Sequence, residues 1–416
     1  MSDDHPARRR GGQVLVLLGV VTLALNLRPA AVAIGPVLSE LRSDLGMSGA
    51  EAGLLTSLPV IAFAVLGSLG SRLAALVGPH RLAVLALVAV TAGQVGRTRV
   101  DGVAPFLALS LLALGGMAVA NVLMPSLVRR HFPDRVSTMT AVYSTALAVG
   151  LTAASVLTVP VSTAGDGWRT GLLLWAALGA VALVPWLGLL RRDHGARGSD
   201  DEQGAIPARL VARTRTGRLL AGLFGLQSLQ AYAVFGWVAE VFGDRGFSDR
   251  DAGLLLGVVT GISIPLSALV PWLAGRLRDL TPLVLALAAC YPVGYLGLAL
   301  APDDLGVGWA VALALVIGTG LCTFPLVLSL IGLRARTPEG TASLSAFVQG
   351  TGYLLAAIGP FGVGVLHDAT GGWTVPLVAL TLAAVPLVLC GLGLARPTYV
   401  EDEVERVMKV DSGSGR

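Results

Sequence analysis

Apolar runs of roughly 18–28 residues, each closed by charge, recur from near residue 13 to near residue 395 and leave room for little else. A helix rises 1.5 Å per residue, so about 20 such residues cross a hydrocarbon core of about 30 Å. Within lipid every backbone amide needs an internal partner, which makes helices the spanning element for runs of this length. Twelve spans are predicted, near 13–38, 50–71, 80–97, 103–128, 138–162, 168–190, 218–241, 250–275, 281–300, 307–333, 340–366 and 372–395. The expected fold class is an all-α membrane protein. Charged residues make up 13% of the chain, about half their usual share, so a large soluble domain is excluded.

The longest polar stretch runs from Arg191 to Gly217, and its Gly, Ser, Asp and Pro content reads as a linker. The chain thus divides into a tail (1–12), a six-span half (13–190), the linker (191–217), a second six-span half (218–395) and a C-terminal tail (396–416). Placing both termini in the cytoplasm puts 23 of the 30 Lys and Arg residues there, including Arg8–Arg10, Arg129, Arg130 and seven linker arginines. The opposite loops hold six: Arg42, Arg97, Arg99, Arg169, Arg245 and Arg250. Basic residues concentrate on the cytoplasmic side of membrane proteins, so both ends are expected in the cytoplasm. Arg8–Arg10, the apolar stretch from Val14 and Ala31-Val32-Ala33 mimic a cleavable signal. The run is too long for one, and Arg28 interrupts the approach to the small residues, so it reads as the first span.

The two halves repeat. Asp44-x-Gly46-x-Ser48 with Ala52-Gly53-Leu54-Leu55 matches Asp244-x-Gly246-x-Ser248 with Ala252-Gly253-Leu254-Leu255, seven of twelve positions being identical at an offset of 200. Pro125 and Pro325 keep that offset, and Gly167-Trp168 answers Gly372-Trp373 at 205. Ser48 and Ser248 have the placing of helix N-caps. Two parallel six-helix halves joined by a linker is the plan of a transporter that holds its solute between the halves, near the membrane midplane.

Arg28 is the basic residue that lies deep in an apolar run. A guanidinium there costs about 2.5–3.5 kcal/mol or more unless a cavity or partner answers it, and the interface lies beyond its reach. Its planar fork suits carboxylates and small oxyanions, which makes it the expected substrate anchor. Asn26, Asn121, Gln227, Gln230, Tyr232, Trp237, Gln349 and Tyr353 are the further candidate contacts. Gln227 and Gln230 share a helix face, Tyr232 lies off that stripe, and the glutamines equally suit hydrogen bonds between helices. Pro29 removes a backbone donor and frees the carbonyl of Leu25, and Gly359 with Pro360 is a second place for bending or gating. No Asp or Glu lies deep in a span; Glu240, at the outer end of the seventh, comes nearest, and the five histidines read as tail or loop residues. Coupling therefore runs through residues at the rim, or protons travel with the solute, or the protein exchanges anions. Cys290, Cys322 and Cys390 are dispersed packing residues, and no phosphate loop, dinucleotide fingerprint or metal cluster is present. No cofactor, nucleic-acid partner or enzymatic activity is expected.

The chain resembles the major facilitator superfamily and, within it, the family of cyanate permeases and 2-nitroimidazole transporters. The carriers are Asn26-Leu27-Arg28-Pro29 with Gly35-Pro36, Asp44-Leu-Gly46, Gly225-Leu-Gln227-Ser228-Leu229-Gln230-Ala-Tyr232 with Trp237, and Gln349-Gly350-x-Gly352-Tyr353 leading to Gly359-Pro360. The stretch Gly67 to Arg81 keeps the glycines and arginines of the superfamily motif without its acid. The fifth span lacks the glycine-proline signature of drug/proton antiporters. The resemblance implies a monomeric plasma-membrane transporter of a small anionic or nitro-aromatic solute, working by alternating access. A drug or metabolite exporter of the same superfamily and a transporter-fold ligand sensor are the competing expectations.

Overall fold

The computed structural model describes residues 5–66, 70–190, 206–302 and 306–413. Ten helical stretches in it are long and apolar enough to cross a membrane. Gly49–Val65, continued by Gly70–Val77, and Pro79–Arg97 complete the predicted twelve spans. Outward-facing Val181, Val184, Leu382, Val385 and Leu389 stay exposed on the sixth and twelfth spans, an apolar surface suited to lipid tails.

One rule of backbone chemistry explains where the spans break. A proline at position i leaves the carbonyl at i−4 without its donor. The first helix ends at Leu25, four residues before Pro29. The eighth span breaks between Gly261 and Ser263, the tenth between Leu321 and Thr323, and the eleventh between Ala356 and Ile358. In these the helix stops four residues before Pro265, Pro325 and Pro360. Pro59, Pro160 and Pro185 sit inside continuous helices, so the proline permits a break and packing decides whether it opens.

The sequence repeat is carried in space by one hydrogen bond per half. The Trp168 indole donates to Asp44 Oδ2 at 2.9 Å, and the Trp373 indole donates to Asp244 Oδ2 at 2.7 Å. Each ties the far end of a half's first span to the start of its sixth. Gly46 and Gly246 take φ of 65° and 85°, the left-handed conformation that ends those first spans. Ser48 and Ser248 then cap the next helix by accepting from the amides of Glu51 and Asp251, both at 3.2 Å.

The apolar core divides unequally. Near the termini and linker, Val16, Leu23, Leu87, Leu127 and Trp186 of the N-terminal half form a cluster of their own. On the opposite, far side, Leu41, Leu55, Phe63 and Trp168 merge with the C-terminal half into one core. The halves interlock there. A Cβ on Gly35 of the first span would lie 2.2 Å from the carbonyl oxygen of Phe235 in the seventh, and Ser57 Oγ donates to Ala357 O at 3.0 Å.

Several polar residues sit deeper than the sequence suggested. Arg97, read as a loop residue, is fully buried at the end of the third span, and Arg334 is 4% exposed with Nη2 donating to Leu394 O. Both satisfy backbone carbonyls, which lets a long apolar stem and its cation stay inside. Arg28 is therefore not the one basic residue held within the helices. His80 begins the helix Pro79–Arg97 and meets His131, on the fourth span, at 2.8 Å between Nε2 atoms; His367 lies on the helix Ile358–Thr370. From the predicted linker, Ala208–Arg213 is helical, and from the predicted tail the helix Val400–Gly413 buries Val400 and Val404 against the C-terminal half. Linker residues 191–205 lie outside the described residues.

Candidate functional site

The break before Pro29 turns Arg28 into a corner. Its φ of −131° and ψ of −33° depart from the helix, while its carbonyl accepts from Ala31 and Val32, both at 3.0 Å, to start the next turn. The half-buried side chain runs toward the second and eleventh spans. Its Nη1 donates to Leu27 O at 3.3 Å, and its Cζ lies 5.6 Å from the centre of the Phe63 ring. Among the described residues no carboxylate pairs with it. A fork with five donors and one weak internal bond keeps most of its capacity for a ligand.

The walls beside it are aromatic and come from both halves. Phe63 stacks on Tyr353 with centroids 5.0 Å apart and planes 18° off parallel, a contact that bridges the second and eleventh spans. Phe224 meets Tyr353 edge-on at 5.0 Å and lies 6.0 Å from Phe324. The Tyr232 and Tyr353 hydroxyls lie within electrostatic reach of Arg28. Such a box can hold a flat π-system between rings while the guanidinium takes its oxygens.

The other predicted residues scatter. Asn26 turns from the corner into its own half, its Nδ2 donating to Thr22 O at 2.8 Å and Leu178 O at 3.3 Å. Gln230 is fully buried and donates to Leu380 O of the twelfth span at 2.8 Å, so it links helices. Gln227, also buried, accepts from its neighbour Ser228 at 3.2 Å. Gln349 donates to Ser345 Oγ at 2.7 Å along its own helix, and Asn121 is half-buried on the fourth span. Pro29 stands at the break of the first span and Gly359 and Pro360 just past that of the eleventh, with Gly359 pressed against Leu229. Trp237 lies toward the far side, where its indole donates to Pro360 O at 3.0 Å. Phe63 and Phe224 went unpredicted because a phenylalanine on an apolar span carries no signal that separates wall from core.

Arg97 supports the corner from behind. Its Nη1 donates at 3.1 Å to the carbonyl of Ala30, two residues after Arg28, and its Nη2 reaches Gln94 Oε1 at 3.4 Å. On the far side a charged cluster joins the halves. Arg42, at the end of the first span, donates to Glu240 Oε1 of the seventh, and its Nη2 lies 3.8 Å from Asp368 Oδ1 of the eleventh. Asp368 Oδ2 also accepts from the amide of Ala50 at 3.1 Å, at the positive N-terminus of the second span. The Arg42 guanidinium stands 5.8 Å from the Trp237 ring, which packs with His367 and Trp373.

Comparison with known proteins places this arrangement. The family model described as Major Facilitator Superfamily matches residues 16–360. The chain is 33% identical to the uncharacterized transporter YycB of Bacillus subtilis (strain 168), over 95% of this chain and 97% of that protein. It is 31% identical to the 2-nitroimidazole transporter of Escherichia coli (strain K12), over 92% and 96% of the two chains. It is 29% identical to the cyanate transport protein CynX of the same strain, over 91% and 97%. Its fold is similar to the crystal structure of the nucleoside transporter NupG, with a TM-score of 0.76 and 13% identity over 92% of this chain and 98% of that one for the second of two such structures at 0.74, and over 91% and 99% for the first. This chain is a multi-pass membrane transporter, not an enzyme, and it belongs to the Major Facilitator Superfamily, in the group that includes the cyanate and 2-nitroimidazole transporters.

Proposed function

We propose that this protein moves a small, planar anionic or nitro-aromatic solute across the plasma membrane by alternating access, with Arg28 as the anchor. The observation that carries the reading is the Arg28 guanidinium, unpaired by any described carboxylate and set against Phe63, at an aromatic contact formed by both halves. Cyanate and a nitro-heterocycle, the solutes in the names of two relatives, share a planar, electron-rich group that a guanidinium can chelate. The aromatic walls favour the ring-bearing member of that pair. A site built from both halves is broken and remade as they rock, which is how alternating access releases its cargo. The far-side interlock and the separate linker-side core fit a conformation closed on the far side. The balance of basic residues favours the linker side as the cytoplasmic one.

Purified protein in proteoliposomes, tested with 2-nitroimidazole and with cyanate, addresses this reading. Protein-dependent flux of either solute, lost on Arg28→Ala while the folded yield is kept, is the expected result. Flux of both that is indifferent to Arg28→Ala would end the anchor assignment. If neither solute moves and structurally unrelated drugs do, the exporter reading takes its place.

A further inference from the structure

The internal repeat supplies its own control for the far-side cluster. Glu40 and Glu240 are equivalent at the offset of 200. Glu40 serves its own half, accepting from the Trp168 amide at 3.0 Å and so capping the sixth span. Glu240 instead reaches across to Arg42, whose counterpart at the same offset is Phe242. The second half has given up a symmetric structural contact for one that exists only while the halves meet. Glu240 has a side chain 9% exposed, and its Oε2 has no hydrogen-bond partner; the Arg42 Nε and His367 Nδ1 beside it are unpartnered too.

We propose that Glu240 is the proton-binding site of the far-side gate, and that its protonation unlocks the halves. This rests on the alternating-access reading above. The groups facing Glu240 are Arg42 from the first span, Asp244 beyond the end of its own helix, and Asp368 with His367 from the eleventh span. Arg42 favours the carboxylate; Asp244 and Asp368 oppose it, as does burial. The ionised form therefore depends on Arg42 staying in place, which ties the proton to the closed state of the halves. When Glu240 takes a proton from the far-side solution, Arg42 loses the charge it was held by and keeps Asp368 alone, at 3.8 Å. The sign follows: the closed gate binds fewer protons than the open one, so acid opens it and alkali closes it. This gives a proton to a chain whose spans hold no carboxylate at the substrate level.

The test is a distance measurement across the gate, made without any solute. Spin labels go on Ser43→Cys and Arg250→Cys, exposed far-side positions of the two halves, with Cys290, Cys322 and Cys390 replaced. In wild type the longer distance should gain population as pH falls, by up to about tenfold in the open-to-closed ratio per pH unit, the limit for one proton. Glu240→Gln should favour the longer distance at every pH and abolish the dependence; Arg42→Gln should do the same, and His367→Asn should keep it. A wild type whose distances ignore pH would overturn the proposal. So would a Glu240→Gln protein that follows the wild-type curve, or a His367→Asn protein that loses it. Because no solute is present, failure of the substrate assignment leaves this result untouched, and the converse also holds.

Discussion

Gly35→Ala should loosen the far-side gate without unfolding the protein. The added Cβ would sit 2.2 Å from the carbonyl oxygen of Phe235, and ordinary contact begins at 3.4 Å, so the first and seventh spans must part by about 1.2 Å there. Gly35 does not have a positive φ, so alanine brings no backbone strain of its own. Overpacking of this kind costs about 1–3 kcal/mol. The strain falls on the state in which the halves touch and is relieved when they separate, so the open-to-closed ratio should rise by about 5- to 150-fold. The assay is the labelling rate of Ser57→Cys, 1% exposed between the halves, with a maleimide in the cysteine-free background. Gly150→Ala is the matched control: its Cβ would lie 2.3 Å from Leu25 O, but both residues belong to one half. It should lower the apparent melting temperature and leave Ser57→Cys labelling unchanged. If Gly35→Ala labels at the parent rate, or Gly150→Ala accelerates labelling as much, the assignment of strain to the gate is wrong.

Trp168→Phe and Trp373→Phe should each lower stability by about 1–2 kcal/mol, since each deletes one hydrogen bond to a charged but partly exposed aspartate. Their effects should add in the double variant to within about 0.5 kcal/mol, because the pairs lie in different halves; melting curves in detergent would read this. Glu401 supports the turn into the eleventh span. Partial burial pushes its carboxyl up, but hydrogen bonds from its own backbone and from Thr337 and Arg336 outweigh that and hold it below the usual value. A depressed folded-state value stabilises above the unfolded carboxyl value, and the contribution disappears as pH falls through the folded one. Glu401→Gln should therefore flatten the acid limb of the melting temperature against pH and leave its neutral-to-alkaline side unchanged in slope.

Periodicity and the repeat made the twelve helices legible, because lipid enforces span length and an exact register of Asp, Gly, Ser and Trp survives in both halves. Leu25 as the end of the first helix was legible as well, since the missing proline donor acts through local chemistry. The partners of the polar residues were not. Asn26 and Arg28 are two residues apart, yet one faces its own half and the other the space between halves. Once the helix breaks, helical spacing no longer predicts direction. Gln227 and Gln230 read equally well as ligand contacts and as helix ties, and Gln230 is the second. Arg97 looked like a loop cation because it ends an apolar run; burial becomes affordable through the carbonyl of Ala30, which a sequence does not bring near it. Phe63, Phe224 and the Arg42–Glu240–Asp368 cluster arise from contacts between distant spans, so no local pattern announces them.

The central claim is that Arg28 holds the solute, and equilibrium binding tests it most directly. Purified protein, Arg28→Ala and Arg28→Lys are titrated with 2-nitroimidazole and with cyanate while the melting temperature is followed. A ligand of the native state stabilises by RT ln(1 + [L]/Kd), about 2.7 kcal/mol at a hundredfold excess over Kd. The account predicts stabilisation of the parent by at least one of these solutes, its loss in Arg28→Ala, and a weakened response in Arg28→Lys, whose ammonium lacks the fork. Stabilisation that survives Arg28→Ala in full would contradict the account and leave Arg28 a structural residue of the broken helix.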